Sequence, residues 1–307
     1  MLTLVGHIDL PAHAKPGGFD HAAIHGRRGR LYVAHTANDA LDVIDATTQS
    51  YVRSVPGLAG VAGVLMSEQD DLVFTSNRGE DTVGIIAPEH DAVITKIPVG
   101  VRPNGLAYDP GRRLLLAANV GDQSRPGSFT VSLVDVNRRA MVADIPVAGR
   151  TRWAIFDPAT DCFHVNIADP PQIAVIEAGA PAKVARTVSI PGVGPHGLDL
   201  DAAGGRLFCA CDGRRVIALE SGSGVVADAL DIAGAPDVVF FNPKRQRLYV
   251  AIGEPGVIEV LEATPLRRRE VVTTEPGAHT TAFDLASETL YVFLPQTHRA
   301  AVYRDHA

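Results

Sequence analysis

The 307-residue chain is poor in several features that mark particular classes of protein. It has three cysteines, which form neither a disulfide framework nor the CxxCH motif of haem attachment, so we expect reduced thiols and no haem. No apolar run approaches the roughly twenty residues of a membrane-spanning helix. The one basic cluster, Arg267 to Arg269, lies in a chain of net charge −7, so we expect neither nucleic acid nor membrane as a partner.

Several catalytic and targeting motifs are absent as well. The sequence has no GxSxG nucleophile elbow and no phosphate-binding glycine loop, which argues against a serine hydrolase of that kind and against a nucleotide cofactor. The first residues, MLTLVGHIDLP, lack the basic and apolar segments of a secretory signal, and we therefore expect a cytoplasmic protein. No charged or Ser/Gly-rich linker interrupts the chain, so we expect a single domain over residues 1–307, and a monomer.

What the chain does contain is a repeated phrase. Residues 102–119, RPNGLAYDPGRRLLLAAN, combine a turn, an apolar strand, an Asp-Pro-Gly turn and a second apolar strand. Related phrases recur about every forty to fifty residues, a period typical of propellers and other repeat folds. The copies begin near residues 17, 59, 101, 150, 194, 235 and 278.

Each complete copy contributes two further short strands, such as LDVID at 41–45 and YVRSVP at 51–56. Four antiparallel strands in each of seven copies predict an all-β, seven-bladed β-propeller. The seventh copy ends after three strands, at residues 300–305, whereas residues 2–10 resemble a fourth-strand phrase. We therefore predict that the N-terminal strand completes the last blade, which leaves no free edge between the first and last blades.

The phrases LYVAH at 31–35, LLLAAN at 114–119 and LYVAI at 248–252 resemble the repeats of the YVTN-type seven-bladed β-propellers. That family includes lactonase-like enzymes, cofactor-bearing domains and binding modules. The resemblance extends over essentially the whole chain and implies the fold; it implies a lactonase-like hydrolase by analogy only.

Polar residues in the copies predict a site at one mouth of the central channel. The residue just before each first strand should project toward the axis, and the loop after the second strand returns to the same face because the two strands are antiparallel. The first position holds Asp20, His21, Asn104, Arg152, Trp153, His196, Asp237 and His279. The second holds His35, Asn38, Asn77, Arg78, Asn119, Asp212 and Glu254.

A metal site is predicted from blades that become neighbours when the ring closes. Imidazole and carboxylate groups that converge are ligands for a divalent transition metal such as Zn, Ni, Mn or Fe. The predicted ligands are His21, His196, His279 and Asp20. Channels lined by polar residues also hold ordered water alone, and this alternative stays open.

The predicted function is metal-assisted hydrolysis of a lactone or another activated ester. Asp237 or Glu254 would take a proton, and Arg152 would stabilise the oxyanion. Residues 121–128, an insertion in the third copy, would form a lid or a rim. The predicted substrate contacts are Asn104, Asn119, Trp153, His35, Asn38, Asn77, Arg78 and Asp212. A binding module without turnover, and a lyase or isomerase at the same mouth, are the alternatives.

Overall fold

The computed structural model describes residues 1–179 and 182–306. These residues form seven four-stranded antiparallel sheets, the blades of a β-propeller, and the inner strands of successive blades contact one another around a central channel. The predicted fold class is confirmed. Within the described ranges the helical structure is limited to two short 3-10 helices, Gly26–Arg28 and Thr36–Asn38, and no helix is long and apolar enough to cross a membrane.

Each blade contributes one strand to each of four concentric layers. The inner strands are β2 (Ala22–His25), β6 (Val61–Ser67), β10 (Pro103–Asp109), β14 (Thr151–Asp157), β18 (Pro195–Asp201), β22 (Pro236–Asn242) and β26 (Thr281–Asp284). The second strands are β3 (Arg30–His35), β7 (Leu72–Asn77), β11 (Leu114–Asn119), β15 (Cys162–Ile167), β19 (Arg206–Cys211), β23 (Arg247–Ile252) and β27 (Thr289–Leu294).

The third strands are β4 (Ala40–Asp45), β8 (Thr82–Ala87), β12 (Thr130–Asp135), β16 (Gln172–Glu177), β20 (Arg215–Glu220), β24 (Val257–Ala263) and β28 (Arg299–Asp305). The outer strands are β5 (Ser50–Pro56), β9 (Ala92–Pro98), β13 (Ala140–Pro146), β17 (Lys183–Ser189), β21 (Val226–Asp231), β25 (Leu266–Thr273) and, from the other end of the chain, β1 (Leu2–Asp9).

The predicted closure by the N-terminal strand is confirmed. Strand β1 pairs with β28 from Leu2, opposite Asp305, to Asp9, opposite Arg299. The buried Asp305 carboxylate also accepts hydrogen bonds from Arg247 and from the hydroxyl of Tyr249, both on blade 6. The strand pairing closes the last blade, and these buried polar contacts attach it to blade 6.

Apolar side chains from adjacent blades form seven core clusters, one at each junction. The tyrosine of the repeated LYV phrase is buried in blades 1, 6 and 7, as Tyr32, Tyr249 and Tyr291. Its hydroxyl reaches a polar partner; the hydroxyl of Tyr32, for example, donates to Asp91 at 3.1 Å. The ring is therefore buried without leaving the hydroxyl unsatisfied. The repeated phrase therefore encodes contacts between blades.

Glycine lets the inner strands approach closely around the channel. A Cβ on Gly63, Gly105 or Gly197 would lie only 2.1, 2.3 or 2.5 Å from a carbonyl oxygen of the next blade. These three glycines are the third residues of β6, β10 and β18. The third residue of β14 is instead Trp153, and its indole reaches a histidine of blade 1. The tight ring thus positions residues at the start of each inner strand beside the channel.

Candidate functional site

The face at which the inner strands begin, which we term the upper mouth, gathers the residues of the first predicted position. Asp237 of blade 6 is electrostatically coupled to His196 of blade 5, His279 of blade 7 and His21 of blade 1. Asp20 lies beside His21, with Oδ1 3.4 Å from Nε2. The structure therefore brings together the five residues that were expected to converge from consecutive blades.

His196 lies between two carboxylates. Its Nδ1 is 2.7 Å from Oδ1 of Asp212, and its Nε2 is 2.9 Å from Oδ1 of Asp237. Burial by itself would lower the pKa of His196, but Asp237 and Asp212 outweigh it and raise that pKa to about 9. Burial would raise the pKa of Asp237, yet the His196 charge holds it well below its usual range. At neutral pH the centre is thus an imidazolium between carboxylates, and Asp237 is a weak proton acceptor.

This arrangement does not fit the predicted metal ligands. Both ring nitrogens of His196 are engaged with carboxylates, whereas a metal ligand needs a free nitrogen lone pair. Within residues 1–179 and 182–306, no group of three or more His, Cys, Asp or Glu side chains has the spacing of a metal site. A bound metal therefore remains a prediction, which metal analysis of the purified protein would test. No chemical step proposed below depends on it.

His279 offers a proton acceptor at the same mouth. Its Nδ1 is 2.8 Å from the carbonyl oxygen of Gly277, and donation of the Nδ1 proton to that oxygen leaves Nε2 of the neutral ring with a lone pair. Nε2 is 3.6 Å from Oδ2 of Asp237, and the side chain is 35% exposed. His279 can therefore exchange a proton with a molecule in the mouth, a role that the sequence assigned to Asp237 or Glu254.

Glu254 does not share in this centre. It is exposed in the turn between β23 and β24, and its carboxylate forms no hydrogen bond or ion pair with any described residue. Asp212, predicted as a substrate contact, instead holds His196 and lies 3.4 Å from NH2 of Arg152. The sequence placed both at the same face but could not show which of them points inward.

Four arginines from blades 2, 3 and 4 form an arc on the other side of the upper mouth, which we term the arginine arc. Arg78 pairs with Asp20 at 3.1 Å, and Arg152 pairs with Asp212. Arg102 and Arg150 are exposed and form no ion pair with any described carboxylate. They line a cavity of about 320 Å³ together with Gly121, Asp122 and Gln123 of the insertion. Burial, and then the charges of the other three arginines, lower the pKa of Arg150. This excess positive charge favours an anionic ligand.

Arg102 and Arg150 were missed by the sequence analysis, although a signal for them exists. Arg102 directly precedes β10, and Arg150 directly precedes β14. In these two copies the first predicted position began at Asn104 and at Arg152, the second residue of each strand. The residue before a strand is still part of the loop at the mouth, so a search two positions earlier would have found Arg102 and Arg150.

Trp153 closes the channel below this site. Its indole stacks on the His21 imidazole, with ring centroids 4.1 Å apart and an interplanar angle of 19°. It also meets Phe240 edge-on at 6.4 Å. Burial lowers the pKa of His21, so the stacked ring is neutral at physiological pH. Trp153, predicted as a substrate contact, thus forms the floor of the upper mouth.

The asparagines of the predicted contact set are buried inside or between blades. Nδ2 of Asn119 donates to Thr130 at 2.8 Å, and Nδ2 of Asn77 donates to Thr82 at 3.0 Å, each within its own sheet. Asn104 is only 4% exposed. Side chains alternate along a strand, so a residue at the end of the second strand can face its sheet neighbours instead of the channel. These corrections assign Asn77 and Asn119 a structural role, whereas Asn104 is buried at the start of an inner strand.

His35 and Asn38 hold the loop that leads from β1 into blade 1. His35 is fully buried, with Nδ1 2.7 Å from Asp42 and Nε2 2.7 Å from Nδ1 of His13. Asn38 donates to the carbonyl oxygen of Ala12 at 3.0 Å. Their predicted substrate contact is therefore replaced by a contact with the chain itself. His13 was overlooked because it lies outside the repeated phrase.

Comparisons with known proteins identify the fold alone. No family model and no curated protein matches the chain. A chain of the hydrazine synthase of Kuenenia stuttgartiensis superposes with a TM-score of 0.83 at 15% identity, over 96% of this chain and 97% of that one. A chain of the mitotic checkpoint complex superposes with a TM-score of 0.82 at 11% identity, over 99% of this chain and 92% of that one. At such identities the shared property is the propeller, and the resemblance to YVTN repeats remains a prediction.

Proposed function

We propose that the upper mouth is the active site of a small-molecule hydrolase that acts on a lactone or another activated ester carrying an anionic group. One observation carries the proposal: the arginine arc, with two arginines that have no described carboxylate ion-pair partner, shares its mouth with His279, whose Nδ1 contacts a backbone carbonyl oxygen. The arc supplies anion binding, and His279 supplies proton transfer.

The proposed reaction uses residues of the chain for each proton and charge. Nε2 of His279 takes a proton from water while the water oxygen attacks the ester carbonyl carbon. Arg152 stabilises the negative charge that develops on the carbonyl oxygen. The bond to the alcohol oxygen then breaks, and that oxygen receives the proton from His279. The products are a carboxylic acid and an alcohol, joined in one molecule when the substrate is a lactone.

The ion pairs around His196 serve positioning in this scheme. Asp212 contacts both His196 and Arg152, so one carboxylate orients the oxyanion-stabilising arginine. Asp237 lies between His196 and His279 and stabilises the imidazolium that forms when His279 takes its proton. Trp153 and His21 form a flat floor that keeps the substrate in the upper mouth. The catalytic residues proposed are therefore His279 and Arg152.

The first prediction concerns hydrolysis of a panel of lactones and aryl esters, each with and without a carboxylate. We expect Arg102→Ala and Arg150→Ala to raise KM for the carboxylate-bearing members about tenfold or more, because each removes one charge from the anion site. His279→Gln should lower kcat by about 10²- to 10⁴-fold, since general base catalysis is lost. Proton release in a weakly buffered indicator assay measures both constants.

Arg138→Ala is the matched control, because Arg138 is an exposed arginine in the turn between β12 and β13, with 77% of its side chain accessible. Its kinetics should equal those of the wild type. Binding of the carboxylates without hydrolysis, lost in Arg102→Ala, would replace the hydrolase by a binding module. A wild type that neither binds nor hydrolyses any carboxylate-bearing compound refutes the site. Metal analysis of untagged wild type and of His196→Ala tests the metal separately.

A further inference from the structure

Below the Trp153–His21 stack, the channel continues as an apolar cavity of about 410 Å³, which we term the lower chamber. Its walls come from the inner strands of blades 2 to 6, and its entrance lies at the face opposite the upper mouth, beside Glu68 and Gln69. The volume falls within the range of about 300–1,000 Å³ that is usual for small-molecule sites. The upper-mouth chemistry proposed above makes no use of this space.

The charge of the lower chamber is opposite to that of the arginine arc. No lysine or arginine belongs to its lining, whose ionisable groups are Asp199, Glu68, Tyr108 and His21. His21 is neutral at physiological pH because burial lowers its pKa. The chamber therefore disfavours an anion and suits a neutral or cationic guest.

Asp199 is the polar group best placed to recognise such a guest. Its Oδ2 accepts a hydrogen bond from the backbone N–H of Phe241 at 2.6 Å, and its Oδ1 accepts one from Leu200 at 2.8 Å. These bonds fix the carboxylate on the wall, and each oxygen keeps capacity for another donor. No described lysine, arginine or histidine forms an ion pair with Asp199. Asp199 is thus a half-buried acid in an apolar wall, without a basic side chain as its partner.

We propose that the lower chamber binds a compact apolar amine, whose ammonium group donates to Asp199 and whose hydrocarbon part packs against Trp153 and Phe240. An ammonium gains a charge-assisted hydrogen bond from the carboxylate and a favourable contact with aromatic faces. The inference is independent of the hydrolase proposal, because the two sites share only the Trp153–His21 stack.

The pH dependence of binding follows from the state of Asp199. Burial raises the pKa of Asp199 to about 7. The carboxylate that attracts an ammonium therefore forms as pH rises through about 7, and amine binding tightens over the same range. Of the other lining groups, His21 is neutral there, Tyr108 is kept protonated by burial, and Glu68 lies at the entrance beside Arg27.

The second prediction is a titration of the purified protein with 2-phenylethylamine, using the fluorescence of Trp153, the one tryptophan in the chain. We expect a saturable change at about pH 8, with affinity at least tenfold weaker for the neutral isostere 2-phenylethanol and weaker still for phenylacetate. Asp199→Asn should abolish the preference for the amine. Ile155→Phe, which fills part of the chamber, should weaken binding of the amine and the alcohol alike.

Glu68→Gln is the control for the other carboxylate and should keep the preference for the amine. Melting temperatures identify any variant that fails to fold, and calorimetric titration of the wild type gives a readout independent of the indole. Three results would each overturn the proposal: no saturable binding of the amine to the wild type, equal affinity for all three probes, or a preference lost in Glu68→Gln but kept in Asp199→Asn.

Discussion

At the scale of single residues, His196 shows how neighbours determine the charge of a side chain. Desolvation favours the neutral imidazole, but two carboxylates at hydrogen-bond distance favour the imidazolium more strongly. The side chain is only 15% exposed, so solvent screens this interaction weakly. The charge of His196 should therefore contribute to folding stability as well as to the geometry of the upper mouth.

The third prediction is a pH dependence of that contribution. The pKa of His196 is raised from 6.5 to about 9, so its stabilisation is complete below the unfolded value and is lost as pH rises through about 9. The shift corresponds to a stabilisation on the order of 3 kcal/mol. Thermal melts of the wild type and of His196→Gln between about pH 6 and about pH 10 measure it. We expect the gap between the two proteins to shrink toward the alkaline end, and a gap that grows with pH would contradict this.

The sequence predicted individual site residues where the repeat fixes their direction. His196, Asp237 and Arg152 all occupy the second residue of an inner strand, and all three reach the upper mouth. The end of the second strand followed no such rule, since Asn119 bonds to Thr130 across its own sheet. Its orientation depends on the partner strand, which lies beyond an insertion and is not visible in the repeated phrase.

At the scale of elements, the strand that closes the ring shows most clearly how packing holds the last blade together. Strand β1 is covalently distant from the blade it completes, so its attachment depends on hydrogen bonds to β28 and on a few buried side chains. Ile8 is 2% exposed, whereas Leu4 on the same strand is 47% exposed. The two residues have similar size and opposite environments.

The fourth prediction compares Ile8→Ala with Leu4→Ala. Ile8→Ala should cost about 2–5 kcal/mol of unfolding free energy, because it leaves a cavity between blades 7 and 1. Leu4→Ala should change that free energy by less than about 0.5 kcal/mol, as substitutions at exposed sites do. Urea denaturation of both variants gives the values. Equal effects would mean that β1 is not packed as the closing strand.

Strand positions were predicted closely because turn residues bracket short apolar runs. LDVID at 41–45 corresponds to Ala40–Asp45, and YVRSVP at 51–56 corresponds to Ser50–Pro56. The inner strands of blades 1 and 7 are shorter, with four residues each, where the repeat is least regular. The loop through His13 was not foreseen, since contacts between a unique loop and a blade leave no periodic signal.

At the scale of the whole molecule, the channel is divided into two compartments of opposite character. Arginines surround one side of the upper mouth, while the lower chamber is apolar with acidic groups. The division depends on an indole from blade 4 reaching an imidazole from blade 1, across a ring of seven blades. The sequence alone could not predict this contact, because it depends on the diameter of the closed ring.

The meeting of both chain ends in one sheet has a further consequence for how the molecule can be rearranged. The amino nitrogen of Met1 lies 2.9 Å from the carbonyl oxygen of His306, so a short peptide linker can join the ends without strain. Opening the joined chain at the exposed turn between Glu89 and His90 would make β9 the first strand and β8 the last. As the fifth prediction, this circular permutant should fold, with blade 2 now closed by strands from both ends. Circular dichroism and the melting temperature test it. An unfolded permutant would show that the ring closes only when the chain ends lie in the last blade.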